Sequence, residues 1–125
     1  MNGSKKEERS SYGRNNVLTG QMIHKIVVGS RAALGKKLLS VVLYGSVARG
    51  DNDSESDIDI ALFVAEKLDR EEDRAVVRCF SDLCMEYDMV FSPMDIERRK
   101  FEEWKDILPY YQNISKEGIV LWAAA

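Results

Sequence analysis

Residues 43–64 read Leu-Tyr-Gly-Ser-Val-Ala-Arg-Gly-Asp-Asn-Asp-Ser-Glu-Ser-Asp-Ile-Asp-Ile-Ala-Leu-Phe-Val, and this stretch decides the fold. One apolar run ends in Gly45-Ser46, ten residues separate Ser46 from Asp57, and Asp59 follows inside a second apolar run. Side chains alternate along a strand, so Asp57 and Asp59 are predicted to share one face, about 7 Å apart. Mg²⁺ prefers oxygen ligands and would relieve the repulsion between the two carboxylates. Gly45 permits close backbone approach, and Ser46 offers a hydroxyl and an N–H to a phosphate. The stretch therefore predicts a site for a metal-bound nucleotide.

The spacing of these residues also resembles a known signature. Gly45-Ser46, ten residues and Asp57-x-Asp59 is similar to the signature of the nucleotidyltransferase superfamily that includes polymerase beta. The fuller form, residues 45–50 followed by residues 56–60, resembles the minimal nucleotidyltransferases, a branch that includes the antitoxin partners of HEPN-domain toxins. The resemblance implies a nucleotidyltransferase fold, ATP or another nucleoside triphosphate as substrate, two Mg²⁺ ions, and a HEPN-like partner protein modified on a side-chain hydroxyl.

Length, charge and cysteine content exclude several classes of protein. The chain has 125 residues, which predicts one domain, and a formal net charge of -3, which argues against a basic surface for nucleic acid. No stretch has the length of a transmembrane helix and no apolar leader follows Met1, so we expect a cytoplasmic protein without membrane contact. Cys79 and Cys84 fall on an apolar helical face and are predicted to be buried small hydrophobes.

Apolar spacing along the chain predicts an α/β domain with a small mixed sheet flanked by helices. We expect this domain over residues 17–122, after a flexible polar arm over residues 1–16 and before a tail over residues 123–125. The predicted elements are a helix over 17–34, strand Leu38–Tyr44, a short helix after Gly45, strand Ile58–Val64, a helix capped by Asp69, a strand over 86–92, helices over 96–105 and 108–116, and a strand over 119–122.

A third acidic residue is expected on the third predicted strand, residues 86–92, which Pro93 would end. Asp88 is the candidate, and the resemblance also places a carboxylate on the strand that follows this helix. Glu86 and Asp95 are the alternatives, and Glu86 would share a face with Asp88 by alternation. Asp57, Asp59 and Asp88 are thus the predicted metal ligands and catalytic residues, with Asp88 as a ligand or general base.

Arg49 has two interpretations. Its guanidinium could bind a nucleotide phosphate beside Gly45 and Ser46, because guanidinium and phosphate match in a bidentate pair. It could instead form an internal ion pair with one of the acidic residues nearby in the sequence.

Three functional hypotheses follow. The first is Mg²⁺-dependent transfer of a nucleoside monophosphate to a hydroxyl group, with pyrophosphate as the second product. The chain is too short for a second substrate-binding domain, so a partner protein or a second copy of the chain would complete the acceptor site. The alternatives are a non-catalytic antitoxin that masks its partner, and a homodimeric enzyme that modifies a small molecule.

Overall fold

The computed structural model describes residues 18–125, so the predicted arm over residues 1–16 lies outside the described part of the chain. Helices and strands alternate along the described residues, which confirms the predicted α/β class. The elements are α1 Gly20–Leu34, β1 Leu38–Tyr44, α2 Gly45–Arg49, β2 Ile58–Val64, α3 Arg70–Tyr87, β3 Phe91–Glu97, α4 Arg98–Trp104, α5 Pro109–Glu117 and β4 Ile119–Ala123. Between residues 18 and 125, no helix is both long and apolar enough to cross a membrane.

The four strands form one mixed sheet in the order β3-β2-β1-β4. Strand β1 pairs antiparallel with β2 and with β4, whereas β2 and β3 are parallel. The bounds of β1 and β2 agree with those predicted from their apolar, β-branched sequences. Ala123, which was predicted to belong to a tail, ends β4, and the Ala124 N–H donates to the Leu39 carbonyl over 2.8 Å. The small mixed sheet is therefore confirmed.

Helices cover both faces of this sheet. Leu43 and Ile60 point to the face covered by α1 and α3, and both are fully buried. Val42, Ala61 and Phe63 point to the opposite face, where they pack against apolar residues of α4 and α5. Because β1 and β2 are apolar on both faces, helices are needed on both sides to remove them from water.

The third strand differs from its prediction. Strand β3 is Phe91–Glu97 rather than residues 86–92, because α3 continues to Tyr87. The apolar positions of α3 keep helical spacing to its last turn, and packing them against α1 favours helix over extended backbone. Pro93 lies inside β3 instead of ending it, since β3 is an edge strand and can accommodate a residue without an N–H. Pairing of β3 with β2 up to Glu97 also delays the next helix to Arg98.

Side chains cap two of the helices. Asp69 caps α3 as predicted, and it forms a reciprocal capping box with Glu72. Helix α1 begins at Gly20 within the described residues, and residue 17, where the predicted helix began, lies outside them. Thr19 caps α1 by accepting a hydrogen bond from the Met22 N–H over 3.2 Å. An N-cap of this kind defines the first turn more firmly than the apolar spacing does.

Gly29 of α1 lies against Cys79 of α3, and this contact gives a stability prediction. A Cβ at Gly29 would lie 2.5 Å from Cys79 Sγ, whereas a Cβ at Gly20 would meet nothing within 4 Å. Gly29→Ala should therefore lower the free energy of unfolding by about 1–3 kcal/mol through overpacking, despite its better helix propensity. Denaturant unfolding measures this change, and Gly20→Ala is the control that should not destabilise the protein.

The effect of Gly29→Ala on the free energy of unfolding should change sign when Cys79 is truncated. In a Cys79→Ala background the nearest atom to the new Cβ would be the residue 79 Cβ, at 3.9 Å. Gly29→Ala should then stabilise by about 0.5–1 kcal/mol, which is the propensity gain alone. An equal loss of stability in both backgrounds would rule out contact with Cys79 as the cause.

Candidate functional site

Two carboxylates lie together where β2 begins, on the sheet face that α4 and α5 cover. In the sheet register Asp59 is opposite Tyr44 of β1 and opposite Ser92 of β3, so the three side chains share that face. Asp57 precedes β2 by one residue, and the Ser92 hydroxyl donates to its Oδ2 over 3.3 Å. Asp57 is exposed and Asp59 is half-buried. The structure therefore brings the predicted pair together and adds Ser92 to it.

The pair carries negative charge that its surroundings compensate only in part. The pKa of Asp59 is raised above its ordinary value, first because burial disfavours the carboxylate and second because Asp57 repels it. The positive charge of Arg49 acts in the opposite direction. A divalent cation between the two carboxylates would screen their repulsion and favour the charged form of Asp59, and oxygen donors are the ligands that Mg²⁺ prefers.

At Gly45 the backbone lies directly beside the Asp59 carboxylate. Its φ is 81°, in the left-handed region that favours glycine. A Cβ at Gly45 would lie 2.3 Å from Asp59 Oδ2. Gly45 and Ser46 open the short helix α2 as predicted, and the Ser46 carbonyl accepts from the N–H groups of Gly50 and Asp51. The turn after β1 thus lies directly beside the acid pair.

Arg49 takes the ion-pair arrangement. Its Nε donates to Asp51 Oδ2 over 3.1 Å, and its Nη1 donates to Glu117 Oε1 over 3.2 Å. Glu117 ends α5, so the arginine ties α2 to the C-terminal end of that helix. The Arg49 side chain is exposed and lies close enough to Asp59 to act on its pKa. Its role toward a nucleotide phosphate stays a prediction.

Asp88 does not lie on a strand. It follows α3 as its C-cap, with a φ of 53°, and its N–H donates to the Cys84 carbonyl. Aspartate tolerates this left-handed conformation better than most residues, so Asp88 has a structural task in ending the helix. Across residues 18–125 no three His, Cys, Asp or Glu side chains are grouped so that they could hold a metal ion. The part of Asp88 in the site stays a prediction.

The two alternatives to Asp88 lie elsewhere. Glu86 forms an ion pair with Lys25 of α1. Asp95 is opposite Leu62 in the sheet register, so it points away from the face of Asp59. Ser92 is the β3 residue directly opposite Asp59 on that face. The alternation of side chains along a strand would identify Ser92 from the sequence, but only if β3 were placed at Phe91–Glu97.

Two tyrosines form one wall beside the pair, and sequence reasoning did not identify either of them. Tyr44 and Tyr110 join their hydroxyls in a hydrogen bond, with the ring planes nearly perpendicular and the centroids 5.8 Å apart. Burial raises the pKa of Tyr44, with smaller effects from Tyr110 and from the charge of Asp59. The Tyr110 hydroxyl also lies 3.4 Å from Met94 Sδ. Tyr110 thus attaches the start of α5 to the sheet beside Asp59.

Comparisons with known proteins identify a family model and several similar proteins. A family model described as "Polymerase beta, Nucleotidyltransferase" matches residues 32–123. A curated protein of Methanocaldococcus jannaschii, named as a protein adenylyltransferase, is 39% identical over 61 residues, which are 49% of this chain and 62% of that protein. The present chain therefore matches less than two thirds of that relative.

Two solved structures share the fold. One is a crystal structure of a toxin-antitoxin with AMP-PNP, with a TM-score of 0.53, 22% identity, and coverage of 82% of this chain and 73% of the other. The second is a mutant of the toxin-antitoxin MntA-HpeT, with a TM-score of 0.50, 21% identity, and coverage of 78% and 71%. At these identities the similarity concerns the fold.

Proposed function

This chain belongs to the polymerase beta nucleotidyltransferase family, and we propose that it transfers a nucleoside monophosphate from ATP or another nucleoside triphosphate to a hydroxyl group of a partner protein. The observation that carries the proposal is the Asp57–Asp59 pair beside the bare Cα of Gly45. A pair of carboxylates on one face at the start of a strand is costly unless a cation joins it. Because Gly45 has no Cβ, the turn leaves room for a phosphate to approach the backbone.

The donor set fits Mg²⁺, with two ions expected. Asp57 and Asp59 supply hard oxygen ligands on one face. Burial, and after it repulsion by Asp57, raises the pKa of Asp59, and a cation would relieve the repulsion. When bound, Mg²⁺ would neutralise triphosphate charge and make the acceptor hydroxyl easier to deprotonate.

Other residues of the chain would bind the triphosphate and accept the proton of the acceptor hydroxyl. Gly45 and Ser46 would hold the β- and γ-phosphates against the start of α2, and Arg49 would help if it exchanged one of its carboxylate partners for phosphate. The acceptor oxygen then forms a bond to the α-phosphorus while the bond to pyrophosphate breaks in line with it. The acceptor proton would pass to Asp88, acting as general base.

The acceptor is expected on another protein. Residues 18–125 form one sheet with its covering helices, and no second domain within this range closes over the acid pair. The solved structures that share the fold are described as toxin-antitoxin structures, one of them with AMP-PNP, and the relative is named as a protein adenylyltransferase. These names, together with the resemblance to antitoxins, support a HEPN-like partner modified with AMP on a side-chain hydroxyl.

The test is transfer of label from ATP to protein. The chain is purified with the protein encoded by the adjacent gene and incubated with ATP labelled in the α-phosphate, with Mg²⁺ or with EDTA. We expect covalent label on the partner with Mg²⁺, none with EDTA, and a loss of at least about 1000-fold in Asp57→Asn, because several kcal/mol of charge stabilisation disappear. Unreduced transfer by Asp57→Asn would show that the site is elsewhere.

Asp88 can be tested separately from the pair. Asp88→Asn keeps a residue that tolerates the left-handed region, and Asp88→Gly favours that region, so the melting temperature should be unchanged in the first and raised in the second. Both variants remove the carboxylate, and we expect label transfer to fall about 100-fold or more. Full transfer in both variants would restrict Asp88 to ending α3.

A second function has one observation in its favour. Since no three metal-binding side chains come together within the described residues, a chain that binds and masks its partner without catalysis would also fit. The labelling experiment separates the two functions. A stable complex that gains no label under any nucleotide and Mg²⁺ condition supports masking, and labelled partner supports transfer.

A further inference from the structure

Exposed apolar side chains are concentrated at one place on the surface. Between residues 18 and 125, four of the nine exposed large apolar side chains fall within residues 104–110, the connection from α4 to α5. We name this segment the apolar turn, and the four are Trp104, Ile107, Leu108 and Tyr110. The remaining five are distributed over α1, α3, β4 and the residue before β3. Single exposed apolar residues are ordinary on a protein surface, but a cluster in one short segment indicates an interaction site.

The apolar turn is well ordered by its own backbone. The N–H groups of Ile107 and Leu108 both donate to the Trp104 carbonyl, over 3.0 and 2.9 Å. Gln112 Nε2 donates to the Asp106 carbonyl over 2.8 Å, which fastens the turn to the first turn of α5. The apolar side chains are therefore held outward on a fixed backbone, and binding to them would cost little ordering entropy.

The apolar turn is continuous with the acid pair. Tyr110 belongs to the turn, and its hydroxyl is hydrogen-bonded to that of Tyr44, which is opposite Asp59 in the sheet. At the other end of α5, Glu117 is bonded to Arg49 of α2. Helix α5 thus runs alongside the site, and a molecule that reaches the acid pair over the start of α5 passes the apolar turn.

Charge on the border formed by the loop before β2 also limits what that molecule can be. The loop before β2 presents the exposed acids Asp53, Glu55 and Asp57, whereas the nearby Arg49 is already paired with Asp51 and Glu117. An acidic partner would be repelled at this border. A partner with an apolar segment on one side of its acceptor hydroxyl and basic side chains on the other would complement both borders.

We propose that the apolar turn is the docking surface for the acceptor protein, which places an apolar segment on Trp104, Ile107 and Leu108 and its hydroxyl at the acid pair. This inference rests on the proposed function, because it names where the partner of that same site binds. It assigns the apolar turn to binding and leaves catalysis to the acids.

Two variants remove apolar surface from the turn without threatening the fold. Ile107→Asp changes a side chain that is 63% exposed. Leu108→Asp puts a favoured N-cap residue at the start of α5, where Leu108 makes no side-chain capping bond, so this variant should be at least as stable as the wild type. The control is Val77→Asp on α3, which changes a side chain that is 62% exposed on the other side of the sheet.

The probe is the protein encoded by the adjacent gene, purified by itself and titrated into each variant. We expect its dissociation constant, and its KM in the labelling assay, to rise about 10-fold or more for Ile107→Asp and Leu108→Asp and to stay unchanged for Val77→Asp. The rise in melting temperature that Mg²⁺ with ATP produces should be equal in all four proteins, since none of these residues contacts the acid pair.

Each other outcome has a definite meaning. Unchanged affinity in both turn variants, or no binding of the probe to the wild type, overturns the docking surface. Self-association of the wild type that Ile107→Asp abolishes would assign the turn to a second copy of the chain and also overturns the proposal. Binding that depends on the turn without any label transfer keeps the docking surface and refutes the proposed function instead.

Discussion

Asp59→Asn is expected to abolish nucleotidyl transfer while making the folded protein more stable. Asp59 is the half-buried member of the acid pair. If it is the metal ligand that we propose, removing its charge takes away several kcal/mol of transition-state stabilisation, or at least about 1000-fold in rate. The same change removes the repulsion between Asp59 and Asp57 and the burial of a charged group. Activity and stability should therefore move in opposite directions.

The stability gain should depend on pH with a definite sign. The pKa of Asp59 in the folded protein lies above its ordinary value of 3.8, so the folded state holds this proton more tightly than the unfolded chain does. The wild type accordingly loses stability from this group as the pH rises from 3.8 through the raised pKa, and Asn at position 59 has no such loss. The difference in melting temperature, variant minus wild type, should increase between pH 4 and pH 7.

Asp95→Asn is the matched control for this experiment. Asp95 is an exposed aspartate of the same sheet whose register partner is Leu62, so it lies away from the pair. The Asp95→Asn variant should retain full nucleotidyl transfer, and its melting temperature should follow that of the wild type over the same pH range. Scanning calorimetry with and without Mg²⁺ adds a further check, because Mg²⁺ should stabilise the wild type more than Asp59→Asn. Equal stabilisation of both proteins would argue against Asp59 as a ligand.

Gly45→Ala is expected to have the second largest effect, and it should reduce stability and activity together. The positive φ of 81° costs an alanine about 1–2 kcal/mol, and its Cβ would lie 2.3 Å from Asp59 Oδ2. The carboxylate or the turn must therefore shift. A displacement of about 1 Å in a catalytic arrangement costs on the order of 100-fold, so we expect at least that loss in label transfer.

Gly35→Ala separates the effect of backbone strain from the effect of displacing the Asp59 carboxylate or the turn. Gly35 also has a positive φ, 57°, but a Cβ there would meet nothing within 4 Å. It should lose stability from backbone strain and keep its activity. Comparison in an Asp59→Ala background gives a second separation, because the atom nearest to the new Cβ at position 45 would then be the residue 59 Cβ, at 3.4 Å. In the Asp59→Ala background, the destabilisation by Gly45→Ala should fall to the cost of the positive φ alone. An undiminished cost would place the clash elsewhere.

The part of the site that could be predicted from sequence is local. The apolar runs define β1 and β2, and alternation alone puts Asp57 and Asp59 on one face. The glycine at the end of β1 follows from the same stretch. These inferences need only residues within about two turns or one strand of one another, where propensity and periodicity are most informative.

The rest depends on contacts between distant segments. Glu86 and Tyr87 have side chains that suit a strand or the last turn of a helix, and packing of α3 against α1 favours the helix. Pro93 is tolerated because β3 is an edge, and edge position is a property of the whole sheet. Ser92 and Tyr110 join the site only through register and helix docking. For Arg49, the sequence supplies Asp51 nearby but gives no sign of Glu117.

The pairing of β4 with β1 has a consequence for how the protein is made. Strands β1 and β2 are close in sequence and can pair as soon as both are synthesised, whereas β4 is synthesised only after α3, β3, α4 and α5. At about 5–20 residues per second, β1 is exposed for several seconds with one edge unpaired and with an almost wholly apolar sequence. The nascent chain therefore carries Asp57 and Asp59 on a half-built sheet, and β4, which is synthesised after the other three strands, closes the edge at which that sheet would otherwise aggregate.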